Sequence, residues 1–202
     1  MAGQRIIGGG LKGRKINALP EGAFTRPILA RIKKSLFDIL KTRIAGSSFL
    51  DLFAGTGSVG IEAASRGAGK VVFIDKSPRC QRWIEDTVRK LAGKDELFFR
   101  GTACEVYRAD VLSGLAWLNE QFDIIFSGAP YVDEKKNPLY LVRDVLYIVE
   151  RDKTLAEGGL LIAQHHAKET FSVPASWDFF RQEQYGDTFL SFFRQLSYVR
   201  KY

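Results

Sequence analysis

"DLFAGTGSVGIEAASRGA", residues 51–68, sets Gly55, Gly57 and Gly60 in a G-x-G-x-x-G spacing between an apolar run and a segment of helical period. Glycine has no Cβ, so the main chain there can turn sharply and come close to a ligand. The run before it, "SSFLDLF" (47–53), reads as a buried strand, and Ser58 to Arg66 reads as a helix. A strand, a glycine turn and a helix in that order begin an α/β fold.

Downstream the alternation continues. "KVVFID" (70–75) is a second buried strand with a helix after it over Pro78 to Leu91, and "ACEVYRAD" (103–110) is a weaker strand before a short helix in "LSGLAWLNE" (112–120). "FDIIF" (122–126) is the fourth strand, a long helix covers 138 to 155, and "GGLLIAQH" (158–165) is the fifth strand. The tail from Trp177 reads as two strands joined at Gly186-Asp187, added antiparallel at the sheet edge. Strands alternating with helices predict a doubly wound, mostly parallel sheet.

Upstream, "RIIGGGLKGRKI" (5–16) reads as a hairpin with basic edges. In "TRPILARIKKSLFDILKTRI" (25–44), Pro27 suits a first helical turn. Ile28, Ile32, Leu36, Ile39 and Leu40 fall on one face, with Arg31, Lys33 and Lys34 on the other. The expected organisation is a basic hairpin-and-helix extension over residues 1–45 on a domain over 46–202.

Charge follows that division. The net charge is +7, yet residues 1–43 alone carry +8, leaving the rest at −1. A basic segment beside a near-neutral body suits a polyanion, nucleic acid being the commonest partner. No apolar run nears the ~20 residues a bilayer span needs, and "MAGQRIIGGG" has no apolar core of a signal peptide. Cys80 and Cys104 are isolated, match no metal spacing and read as reduced thiols, which predicts a cytoplasmic protein.

Three acids mark successive strand ends. Asp51 lies four residues before Gly55, an odd place for a carboxylate in a dinucleotide site but apt for the amino group of S-adenosylmethionine. Asp75 is placed for ribose hydroxyls and Asp110 for an adenine amino group, at the strand ends where open α/β sheets bind ligands. S-adenosylmethionine is therefore the expected cofactor, with NAD the alternative.

"FDIIFSGAPY" (122–131) ends the fourth strand in Pro130-Tyr131, a turn of the kind that holds a base for modification. Tyr131 can stack on a base and the Ala129 carbonyl can accept one hydrogen bond, while Gly128 offers no side chain. Ser127 points to the other face by strand alternation. Asp133 and Glu134, in the "DEKKN" loop (133–137), are candidate substitutes, and that loop is a candidate lid. His165 and His166 read as ordinary residues at the end of the fifth strand, Trp83 and Trp117 as core, and Phe179, Phe180, Phe189, Phe192 and Phe193 as core and edge packing.

Together "RIIGGGLKGRKI", "TRP", "SLFDIL", "FLDLFAGTGSVGIEAASRGA", "FIDKS", "FDIIF…PY" and "YGDT" resemble the RsmD-type methyltransferases, which methylate guanine N2 in bacterial small-subunit (16S) ribosomal RNA. The resemblance runs through most of the chain, and the hairpin joined to "TRP" is its family-specific part. It implies a Rossmann-like, S-adenosylmethionine-dependent fold of seven strands with the last antiparallel. It also implies ribosomal RNA, within a small subunit, as substrate. Asp51, Gly55, Gly57, Asp75 and Asp110 match the family's cofactor positions; Phe53, Ala54 and Lys76 complete the expected cofactor site. Gly128, Ala129, Pro130 and Tyr131 form the expected catalytic turn, and Arg5, Lys12, Arg14, Lys15, Arg26, Arg31 and Lys34 the expected RNA contacts of a monomeric enzyme. The family's fourth-strand motif is Asp/Asn-Pro-Pro-aromatic. Gly128-Ala129 departs from it and leaves open a catalytically weakened RNA-binding or assembly protein that retains the cofactor.

Overall fold

A computed structural model describes residues 4–16, 28–93, 101–133 and 135–196. In chain order the elements are β1 (Gln4–Arg5), β2 (Lys15–Ile16), α1 (Ala30–Ile39), β3 (Ser48–Leu52), α2 (Ser58–Ser65), β4 (Lys70–Asp75) and α3 (Pro78–Ala92). They continue with β5 (Ala103–Arg108), β6 (Phe122–Ser127), α4 (Val142–Arg151), β7 (Leu155–His166), β8 (Trp177–Tyr185) and β9 (Thr188–Gln195). β1 and β2 pair as an antiparallel hairpin. The other seven strands form one sheet in the order β5-β4-β3-β6-β7-β9-β8. β3 to β7 run parallel, and β9 inserts antiparallel between β7 and β8. This is the expected Rossmann-like α/β sheet.

Strand alternation builds two cores. Phe49, Phe73, Phe126, Ile162 and Phe192 face α1, α2, α3 and the hairpin. Leu50, Leu52, Val72, Ile74, Ile125, Leu161 and Phe193 face α4. Successive strands leave β3 in opposite directions, to β4 on one side and β6 on the other. Such a reversal opens a crevice at the carboxyl ends of the strands. The turns following β3 and β6 flank it.

Several elements differ from their expected extents. Segment 112–120 forms two 3-10 turns, Val111–Ser113 and Ala116–Leu118, because Gly114 (φ 108°) and Asn119 (φ 49°) break the helical path. Trp117, expected in the core, is exposed there, its ring edge-on to Tyr107. Trp83 is half-buried on α3. α4 is shorter than 138–155 because Glu169 Oε1 accepts from Val142 N (2.8 Å), capping it from a distant loop. α1 starts at Ala30, and Pro27 lies outside the described residues. Of the tail rings, Phe192 and Phe193 are buried while Phe179 and Phe180 are exposed at the edge.

Lys33 corrects the expected outer face of α1. It is buried, its Nζ 3.4 Å from Glu62 Oε2 and donating to the Arg5 carbonyl (3.1 Å). Desolvation pushes its pKa down, against the pull of Glu62. Glu62, also buried, accepts from Arg66 Nε (2.8 Å) and from Ile7 N (2.9 Å). Ser65 adds to this docking, its Oγ accepting from Leu11 N (3.0 Å) and donating to the Gly8 carbonyl (2.6 Å). Ile6, Leu11 and Ile16 meanwhile enter the core.

Candidate active site

The turn after β3 is wound by left-handed residues at alternate positions: Phe53 (φ 56°), Gly55 (φ 56°) and Gly57 (φ 70°). Glycine takes this conformation freely, whereas a non-glycine residue held there costs of order 1–3 kcal/mol. Ala54 N donates to the Ile74 carbonyl (3.0 Å) and Gly55 N to Asp75 Oδ2 (2.8 Å), lashing the turn to the end of β4. The third glycine serves packing rather than ligand approach, which corrects the sequence reading. A Cβ on Gly60 would stand 2.3 Å from Phe73 Cε1, so α2 reaches the sheet only with glycine there.

Asp51 lies beneath this turn, 2% exposed, and its Oδ2 accepts from Gly60 N (2.8 Å). That is its one hydrogen bond among the described residues. Burial pushes its pKa up to about 8, with the backbone bond opposing and Asp75 adding to the rise. A buried carboxyl so sparsely partnered takes a cation readily, because the pair relieves the desolvation that holds it protonated. Asp75 accepts from Gly55 N at Oδ2 and from Ser77 N at Oδ1, both at 2.8 Å, and stays half-buried, with lone pairs left for hydroxyls. Lys76 follows it, exposed. Asp110, just past β5, caps a 3-10 turn through Leu112 N (3.0 Å) and is exposed. Asp51, Asp75 and the Phe53–Gly57 turn are thus brought together, and Asp110 stands at the next strand end. This donor set could hold an adenosyl amino acid, with Asp51 toward the ammonium, Asp75 toward the ribose and Asp110 toward the adenine edge.

Across the switch point, β6 leads into Gly128, whose N–H donates to the Leu52 carbonyl (3.1 Å). Gly128 and Ala129 are half-buried, Pro130 is exposed, and Ser127 is buried. Tyr131 is braced at its hydroxyl, which accepts from Gln164 Nε2 (2.8 Å) on β7 and donates to Thr188 Oγ1 (3.3 Å) on β9. The His166 ring stands edge-on to it, centroids 5.8 Å apart. An aromatic fixed at its rim and partly open suits base stacking.

Asp133 does not replace the missing side chain at 128. Its Oδ1 accepts from Lys135 N (2.9 Å) and Asn137 N (2.8 Å) and its Oδ2 from Asn137 Nδ2 (2.8 Å), which holds its pKa down and commits both oxygens to its own loop. Glu134 lies outside the described residues. His165, buried, bonds Ser191 Oγ through Nε2 (2.8 Å), and His166 Nδ1 accepts from Lys168 N (3.0 Å), so both are structural in their contacts.

Among the expected basic contacts, Lys12, Lys15 and Arg31 are exposed and Arg14 is half-buried. Arg5 donates to the Gly13 carbonyl (2.9 Å), closing its own hairpin, and Lys34 pairs with Asp38 at 2.6 Å. Arg26 lies outside the described residues. Sequence reading missed Gln164 and Thr188; a lone amide in the apolar run "LLIAQHH" was the available signal for the first.

The profile of a family described as "Conserved hypothetical protein 95" matches residues 4–194. The Bacillus subtilis protein YlbH, provisionally named an rRNA methyltransferase, is 30% identical over 95% of this chain and 98% of its own. Ribosomal RNA small subunit methyltransferase D of Escherichia coli K12 is 28% identical over 90% of this chain and 85% of its own. A solved Escherichia coli structure, provisionally described as a methyltransferase, superposes with a TM-score of 0.73 at 24% identity, covering 96% of this chain and 98% of that one.

Proposed function

We propose, since this chain belongs to the Conserved hypothetical protein 95 family of RsmD-type methyltransferases, that its strand-end crevice methylates ribosomal RNA with S-adenosylmethionine. The observation that carries the reading is Asp51, a buried carboxyl held protonated by desolvation under a left-handed turn. Relatives named as rRNA methyltransferases favour S-adenosylmethionine over the NAD alternative. When bound, the cofactor supplies an electrophilic methyl. The chain's own residues do the rest: Asp51 holds the ammonium, Asp75 the ribose, and Tyr131 the base lifted from its stack.

The finer reading is guanine N2 of small-subunit RNA, in the cytoplasm, by a monomer with the 1–45 segment on the RNA. Its RNA contact by the 1–45 segment is supported by Lys12, Lys15 and Arg31, which are exposed for phosphates. Among the described residues, no helix is long and apolar enough to cross a membrane. Labelled methyl incorporation into small subunits lacking the modification, with the methylated nucleotide mapped, tests it; one labelled guanine is expected. A second reading is favoured by Gly128: a protein that binds cofactor and RNA without transfer. Binding of S-adenosylhomocysteine with no labelled RNA would select it.

A further inference from the structure

Nothing in the backbone demands glycine at 128, because its φ lies outside the left-handed region. A Cβ there would stand 3.2 Å from Phe126 Cε1, 3.8 Å from the Phe53 carbonyl oxygen and 3.9 Å from that of Leu52. The Leu52 oxygen is occupied by Gly128 N. The Phe53 oxygen accepts no hydrogen bond among the described residues. Phe53 is also the strained position of the turn, its φ of 56° fixed while its ring packs on the α4-side core. A Cβ at 128 would come within van der Waals reach of that carbonyl oxygen, 3.8 Å away, and glycine leaves that space free. Resting on the methyltransferase reading above, we propose that the Phe53 main-chain carbonyl is an acceptor for the substrate amine, in place of the side chain absent from position 128.

An exocyclic amine has two N–H bonds. With the Ala129 carbonyl taking one and the Phe53 carbonyl the other, the nitrogen lone pair is turned toward the methyl. The N–C bond then forms as the S–C bond breaks, its electron pair staying on sulfur. The nitrogen's surplus proton passes to water, since a carbonyl accepts a hydrogen bond without taking the proton. The strained turn thereby acts twice, tied to the end of β4 by Ala54 N and Gly55 N beside the cofactor site and lending its Phe53 carbonyl to the substrate.

Gly128→Ala tests this by placing one methyl group 3.8 Å from the Phe53 carbonyl oxygen. Single-turnover transfer into unmethylated small subunits should fall about 10- to 100-fold, the scale of a misplaced reacting group. The dissociation constant of S-adenosylhomocysteine, measured by calorimetry, should stay within about twofold. Gly128→Asn, which brings its own acceptor, should recover most of the loss. An unchanged rate in Gly128→Ala overturns the proposal, and so does a weaker S-adenosylhomocysteine affinity with the rate intact, which would assign the carbonyl to the cofactor. Should Gly128→Ala not fold, the same change in a Phe126→Leu background removes the 3.2 Å contact and restores the comparison. A wild type that binds S-adenosylhomocysteine yet labels no RNA fails before any variant is made; it overturns the catalytic reading and this proposal with it.

Discussion

With its carboxyl pushed up to about 8 by burial, Asp51 is mostly protonated at pH 7 in the ligand-free protein. An ammonium set against it favours the carboxylate, so binding S-adenosylhomocysteine at pH 7 should release close to one proton. Affinity should rise from pH 6 to 8, by up to about tenfold per unit, and flatten above. Calorimetry in buffers of unlike ionisation enthalpy reads the proton directly, and Asp51→Asn should abolish both the release and the pH dependence. The same group acts on folding. Its folded value lies above the unfolded 3.8, so its stabilisation is complete below that value and is lost as pH rises from about 4 through 8. Ligand-free wild type should therefore weaken over that window relative to Asp51→Asn. Tyr131 poses a different question, that of aim. Gln164→Leu and Tyr131→Phe each break the bond between amide and hydroxyl, so each should lower kcat several-fold with S-adenosylhomocysteine affinity unchanged. If the bond is what matters, the double variant should be no slower than the worse single one; additive losses would show independent roles.

At the scale of elements, α2 rests on the sheet through Gly60 and Phe73. Gly60→Ala forces a Cβ to within 2.3 Å of the ring and should cost about 1–3 kcal/mol by overpacking. Phe73→Leu added to it should return part of that stability in a denaturant titration, although it is destabilising alone. Strands such as "KVVFID" and "FDIIF" were legible because parallel strands are covered on both faces and read as continuous apolar runs. The acids at their ends were legible for the same reason, since charge has no other business there. Long-range contacts were not. α4 begins where Glu169 caps it, a partner supplied by a loop beyond β7. The 111–120 turns follow from the φ values of Gly114 and Asn119, which composition does not specify. Lys33 sits on the buried line of Leu36, Phe37 and Leu40, but its charge hides that position until Glu62 is found opposite. The Gln164–Tyr131–Thr188 brace joins residues far apart in the chain and has no local pattern at all.

For the whole molecule, the question is whether the basic N-terminal segment is a detachable RNA arm or part of the body. Ile6, Leu11 and Ile16 are buried in the core under α1 and α2, and Ile7 N supplies one of the bonds to buried Glu62. Three such side chains at about 1.5–3 kcal/mol each amount to about 5–9 kcal/mol, comparable with the about 5–15 kcal/mol that holds a typical domain folded. Deleting residues 1–16 should thus unfold the protein rather than leave a stable, RNA-blind enzyme, and Lys33, losing the Arg5 carbonyl, would be left with fewer acceptors in the core. Charge alone is separable from that role. Lys12 and Lys15 are exposed, so Lys12→Glu with Lys15→Glu should leave the melting temperature within a few degrees. If both touch phosphates, RNA affinity should fall, and the slope of log affinity against log salt should shrink by about 1.4, at about 0.7 for each phosphate of a single strand that is no longer neutralised. A truncated protein that melts cooperatively near wild type would show the segment to be an arm after all. A double charge variant with unchanged salt slope would place the RNA on another face.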